Sequence, residues 1–114
     1  MIPAREALQR LREGNQRFVE ETHGLHQRAS ESRRIALAED GQTPLAIVLG
    51  CSDSRVPAEI VFDQGLGDLF VIRVAGNIVA QSQIGSVEFA AERFHTRLVV
   101  VMGHTQCGAV LATV

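Results

Sequence analysis

The 114-residue sequence contains no apolar run approaching the roughly 18 residues that a membrane-spanning helix requires. Its N-terminus is charged and lacks the basic, apolar and small-residue succession of a secretory signal, so a cytoplasmic address is expected. Basic charge is not in excess: 11 Lys or Arg against 13 Asp or Glu give a formal net charge of −2, which removes the electrostatic reason to expect nucleic acid or an anionic membrane as a partner. Cysteine is scarce. The two present, Cys51 and Cys107, are read as thiols or metal ligands rather than as a disulfide, given the absence of a secretion signal.

What is present describes a folded chain. With 46% hydrophobic and 21% charged residues it is too apolar to be disordered. Its length suits one domain, 1–114, burying roughly two-thirds of the surface the unfolded chain exposes.

Over residues 4–21 the apolar Ala7, Leu8, Leu11, Phe18 and Val19 recur at helical spacing, which predicts an amphipathic helix. Arg5, Arg10, Arg12 and Arg17 alternate with Glu6, Glu13, Glu20 and Glu21 and read as its solvated face. Residues 22–29, with His23, Gly24 and His26, show no period and read as loop. A second helix is expected over 30–39, stopped by Asp40 and Gly41, and the first 40 residues or so form an N-terminal helical arm.

Leu45 to Leu49 is a continuous apolar run suited to a strand buried on both faces, ending at Gly50. Pro57 is placed to begin a short helix reaching Phe62, and Gln64 to Asp68 is loop by its glycines. A second strand is expected over residues 69–74, then a turn at Ala75, Gly76 and Asn77. A helix over 82–94 should bury Ile84, Val87, Ala91 and Phe94. A third strand over 98–102 ends at Gly103, and a last helix begins near Cys107. This alternation predicts an α/β fold with a mostly parallel central sheet flanked by helices.

In such a sheet the carboxyl ends of the strands share one edge, where ligands gather. Cys51 and His104 each follow a strand and a glycine, so both are expected on that edge, with Gly50 and Gly103 allowing close backbone approach. Cys107, three residues after His104, is within reach of the same ion. Two sulfurs and an imidazole leave a tetrahedral Zn²⁺ one further position. Asp53 can fill it, or can pair with Arg55 and leave it to water. Taken singly, a cysteine after an apolar strand is commonly a buried small hydrophobe and a histidine commonly structural; together the five residues favour a metal site. His23, His26 and His95 have no partners at metal spacing and read as surface residues. A nucleophilic thiolate in an anion-binding loop is the weaker reading of Cys51 and Arg55, because Asp53 between them would repel an anion.

Gly50-Cys51-Ser52-Asp53-Ser54-Arg55-Val56-Pro57 and Gly103-His104-Thr105-Gln106-Cys107-Gly108 together resemble the paired motifs of the β-class carbonic anhydrases. The run from Asp68 to Asn77 is similar to the family's linking strand and turn, and Gly14-Asn15-Gln16-Arg17-Phe18 to the end of its first helix. The resemblance implies Cys51, His104 and Cys107 as zinc ligands, and Asp53 with Arg55 as the switch dyad, Asp53 being a ligand only in a closed form. It implies reversible hydration of CO₂ to bicarbonate by zinc-bound hydroxide, with a proton passing to buffer. Gln64 matches a glutamine that in some members hydrogen-bonds the substrate oxygen.

In one branch of the family an inhibitory bicarbonate lies near a tryptophan; here that position is Val48, so the open form is expected. Arg73 resembles another residue of that inhibitory site, and is expected instead to form a salt bridge at its strand end. Family members continue past the His-x-x-Cys helix, so the C-terminal part of the fold is expected to be missing, leaving apolar surface exposed. A homodimer or higher homo-oligomer, with the N-terminal helix on the partner, is implied. The alternatives are a non-catalytic zinc-binding fragment, or a carbonyl sulfide or carbon disulfide hydrolase on the same site.

Overall fold

The computed structural model describes residues 1–22 and 30–114. The loop expected over 22–29, and with it His23 and His26, falls almost wholly outside them. The elements are α1 (Ala4–Val19), α2 (Glu31–Asp40), β1 (Ala46–Cys51), α3 (Ala58–Val61), β2 (Leu69–Val74), α4 (Gln81–Phe94), β3 (Val99–Val101) and α5 (Gly108–Thr113). Among the described residues no helix is long and apolar enough to cross a membrane.

The described strands form one parallel sheet in the order β2-β1-β3. The apolar run of β1 makes it the central strand, and it is buried at every position. It does not end at Gly50 as expected. Gly50 pairs with Arg73 and Cys51 with Val74, because β2 is long enough to carry the ladder to that point. β3 is shorter than its apolar run, although Leu98 and Met102 still bond to β1, through Ile47 N–H to Leu98 O at 2.8 Å and Met102 N–H to Leu49 O at 2.9 Å.

Side chains alternate across a strand, so the two faces of the sheet differ. Ala46, Val48, Leu69, Val71, Val100 and Met102 form one face, packed with Ala7 and Leu11 of α1, and with Ala58 and Phe62 at α3. Opposite them Phe70 meets Phe89 and Phe94 of α4, with ring centroids 6.0 and 5.8 Å away. α4 makes its contacts with β1 and β2, which leaves Val99 and Val101 on β3 exposed. It meets the sheet through its C-terminal half, where Ala90 is fully buried; Ile84, expected on the buried face, lies at the other end and is exposed.

α1 is amphipathic as expected, with Ala7, Leu11 and Gly14 buried, but Val19 at its outer end is exposed. The Gly14-Asn15-Gln16-Arg17-Phe18 segment docks α1 on α3. Asn15 Nδ2 donates to Val61 O at 3.0 Å, and Arg17 donates through Nε to the Asp63 carboxylate and through Nη2 to Asp63 O. Arg17 is therefore an anchor and not part of a solvated face: the Asp63 carboxylate is fully buried and requires a cation. Pro57 stands as the N-cap of α3 rather than its first residue, its extended ψ of 126° leading into the turn.

A Cβ on Gly14 would lie 1.7 Å from Phe62 O, a backbone atom. Gly14→Ala is accordingly expected to force α1 off α3 and to cost about 3 kcal/mol or more, at the upper end of overpacking penalties. Urea unfolding of the two chains measures it, and an unchanged midpoint would contradict this close packing.

Candidate metal centre

β1 is the most enclosed strand of the sheet, and its last residue is Cys51. Parallel pairing brings the carboxyl end of β3 beside it, and the chain after β3 carries His104 and then Cys107, the N-cap of α5. Sequence-distant donors thus converge as expected: the Cys51 and Cys107 sulfurs and a His104 ring nitrogen lie within 4.8 Å of one another. The glycines are not the reason. Among the described residues, a Cβ on Gly50 would approach only Met102 Cε, at 3.4 Å, and one on Gly103 would meet nothing within 4 Å.

Both cysteines are buried and free, with Sγ atoms 3.8 Å apart. Two sulfurs each about 2.3 Å from a tetrahedral zinc ion stand about 3.8 Å apart, so the spacing suits that ion. His104 points the same way. Its Nδ1 is 2.8 Å from Thr105 O, a carbonyl that can only accept, so Nδ1 carries the proton and Nε2 presents a lone pair. That Nε2 is buried and has no hydrogen-bond partner among the described residues, an arrangement costly unless a cation uses the lone pair. The donor set therefore fits zinc.

The electrostatics agree. In the metal-free protein the Cys51 thiol is lowered from 9.0 to about 6, first by the Gly76 backbone N–H, which donates to Sγ at 3.3 Å, then by the Asp53 backbone N–H and His104. Since the depressed value favours the ionised form, thiolate is present above about pH 6 and is lost as pH falls through it. Ultraviolet thiolate absorbance of chelator-treated protein should show this step near pH 6, and Cys51→Ser should remove it. The neighbouring sulfur in turn raises the His104 imidazole.

Asp53 and Arg55 form a closed pair beside the cluster. Arg55 donates to Oδ1 through its backbone N and Nε, both at 2.9 Å, and to Oδ2 through Nη2 at 2.8 Å. Arg55 thereby holds the Asp53 carboxyl far below the usual carboxylate range, and its own pKa rises. Asp53 Oδ2 is 4.0 Å from His104 Nε2. Arg55 Nη2 also reaches Gln106 O at 3.1 Å, tying the dyad to the loop that carries Cys107. With its cation held by Asp53, the loop offers poor binding for an anion, against the thiolate-nucleophile reading.

Gln64 is not brought to this cluster. It is buried, and its Nε2 donates to Phe62 O at 2.9 Å and Arg10 O at 3.5 Å, in a cleft lined by Arg10, Glu13, Arg17 and Asp63. His95 is exposed at the end of α4, as expected. Among the described residues Arg73 forms no salt bridge, contrary to expectation; its guanidinium is taken up by two backbone carbonyls of the Cys51 loop, Cys51 O and Asp53 O. Gly76 and Thr105 were not legible as part of the site, since both act through the backbone. The only signal was a glycine in a turn at the ligand edge, where a φ of +82° aims its N–H at the sulfur.

The family profile described as carbonic anhydrase matches residues 46–114, which contain every residue of this cluster. The chain belongs to the β-carbonic anhydrase family. It is 51% identical over 104 residues to carbonic anhydrase 2 of Mycobacterium tuberculosis, covering 90% of this chain and 48% of that protein. Among solved structures, the β-carbonic anhydrase CcaA superposes with a TM-score of 0.66 at 33% identity, over 92% of this chain and 52% of that one. The tetrameric β-carbonic anhydrases of Sordaria macrospora give 0.65 at 29% identity, over 72% and 43%. The chain spans about half the length of the curated relatives it matches.

Proposed function

We propose that this chain binds Zn²⁺ through Cys51, His104 and Cys107 and takes part in the reversible hydration of CO₂ to bicarbonate and a proton. The observation that carries the reading is the bare, buried Nε2 of His104 facing two sulfurs 3.8 Å apart, beside a carboxylate locked by an arginine. A zinc ion held there supplies Lewis acidity, which brings the ionisation of water into the neutral range.

The rest falls to the chain's own residues. Asp53, ionised throughout the neutral range, can accept a proton in a hydrogen bond but has none to give. Arg55 occupies the outer side of that carboxylate, leaving Oδ2 the atom nearer the cluster. An attacking water that donates to Oδ2 would have its remaining lone pair oriented toward the carbon. Thiolate ligands donate more charge than imidazoles and weaken a metal as a Lewis acid, so a fixed acceptor contributes more here. Val110 and Leu111, with Asn77, line the cleft of about 370 Å³ at the mouth of the site, a partly apolar approach suited to an uncharged substrate.

A substrate contact by Gln64, which within one chain stands away from the cluster and would need a second copy of the chain to approach it, a homo-oligomeric assembly and a cytoplasmic address belong to the same proposal. The first and the third rest on the sequence reading alone, and the second is supported by the tetrameric relatives.

Stopped-flow CO₂ hydration by the zinc-loaded chain from about pH 7 to about pH 9 tests the reading, with carbon disulfide and carbonyl sulfide assayed on the same preparation. A zinc-dependent CO₂ rate is expected. One equivalent of zinc with no rate above buffer would make this chain a non-catalytic zinc-binding unit, and turnover confined to the sulfur substrates would reassign the reaction.

A further inference from the structure

Arg73 lies on β2 opposite Gly50, and its side chain reaches the loop between the ligand strand and the dyad. Nε donates to Cys51 O at 2.9 Å and Nη2 to Asp53 O at 2.6 Å. One planar guanidinium thus pins two carbonyls on either side of Ser52, with a fixed fork that an ammonium cannot reproduce. Asp53 O also accepts the Val56 N–H at 3.2 Å, so the turn into α3 closes on the same oxygen.

The Asp53 carboxylate is held in one place and lies within a side-chain rotation of another. One is Arg55, which holds both of its oxygens; the other is the donor cluster, where Oδ2 already stands 4.0 Å from His104 Nε2. The direction of the Asp53 side chain follows from the aim of its Cα–Cβ bond, and that aim is fixed by the backbone that Arg73 grips.

We propose that Arg73 is a positioning residue: by clamping the Cys51 and Asp53 carbonyls it directs the Asp53 carboxylate onto Arg55 and keeps it off a metal held by Cys51, His104 and Cys107. This rests on the metal-site reading above and deepens it, placing control of access to the metal in a residue outside both the ligand set and the dyad.

The test uses the full chain loaded with Co²⁺ and follows its visible spectrum rather than turnover. Binding of one equivalent of Co²⁺ with a thiolate charge-transfer band by the parent chain checks the metal-site reading by itself; its absence overturns that reading and the proposal with it. Thiocyanate is then titrated as an anion that must compete with Asp53 for the metal. Arg73→Met is expected to weaken thiocyanate binding about tenfold or more. Adding Asp53→Asn to Arg73→Met should restore it to within about twofold of Asp53→Asn alone, since the competing carboxylate is gone.

Unchanged thiocyanate affinity in Arg73→Met overturns the proposal. So does a weakening that persists undiminished when Asp53 is also replaced, the signature of a loop that has merely loosened. Should Arg73→Met fail to fold, Arg73→Lys, which keeps the charge but cannot span both carbonyls, carries the same expectation of weakened binding and partial rescue. If neither folds, Arg73 is a residue of the fold, and the positioning role is rejected.

Discussion

Arg55→Ala is expected to lower CO₂ hydration by about a hundredfold or more while one equivalent of zinc remains bound. The substitution touches none of the three proposed zinc donors. It removes both side-chain hydrogen bonds that hold the Asp53 carboxylate and leaves only the one from the backbone N–H of residue 55. The carboxylate is then an uncompensated anion whose Oδ2 lies 4.0 Å from the His104 nitrogen, and a dication in the cluster is the nearest replacement for the lost guanidinium. Asp53 would thus turn from an acceptor that orients water into a competitor for the metal. Asp53→Asn should also lose activity, for the different reason that an amide is a poorer acceptor. Zinc stoichiometry and the stopped-flow rate are measured on the same sample; a near-parental rate for Arg55→Ala would remove the dyad from the mechanism.

Cys107→Ser should fail at an earlier step. A serine hydroxyl stays protonated near neutral pH, so the cluster keeps one thiolate and one imidazole. Its zinc affinity is expected to fall by more than the roughly 10–100-fold that loss of an outer-shell partner costs. Competition against a chromogenic chelator measures this directly, and the rate should fall in step with bound zinc. The two variants therefore separate by stoichiometry: Arg55→Ala is metal-replete and slow, Cys107→Ser metal-poor. Parental zinc affinity in Cys107→Ser would exclude Cys107 as a ligand.

The parts of the fold and site legible in the sequence were those carried by side-chain identity. The apolar runs of β1 and β2 identified the strands, and Cys51, Asp53, Arg55, His104 and Cys107 fell on one sheet edge as a parallel arrangement requires. What was not legible depends on tertiary placement. The continuation of β1 through Gly50 follows from the reach of β2, which a local pattern in β1 does not contain. Arg17 among alternating charges has the signature of a solvated helix face, and only the packing of α1 on α3 delivers it to the buried Asp63. Ile84 obeys the helical period of α4 but is exposed, while the helix meets β2 through Phe89 and Phe94 in its other half. Arg73, Gly76 and Thr105 contribute through bonds in which at least one partner is backbone, and sequence pattern is silent about those.

The burial of β1 beside the exposure of β3 and α5 has a consequence for how the site opens. Cys51 belongs to a strand hydrogen-bonded on both sides, whereas His104 and Cys107 follow an edge strand and precede a short helix whose Val110 and Leu111 are exposed. Amide exchange should therefore be slowest along 46–51 and far faster over 99–113, the two segments opening with different free energies. Two of the three proposed donors would leave and return together on the easily opened segment, while the third stays on the slowest one. Release of a bound ion would then be timed by partial opening at the edge of the sheet, well short of global unfolding.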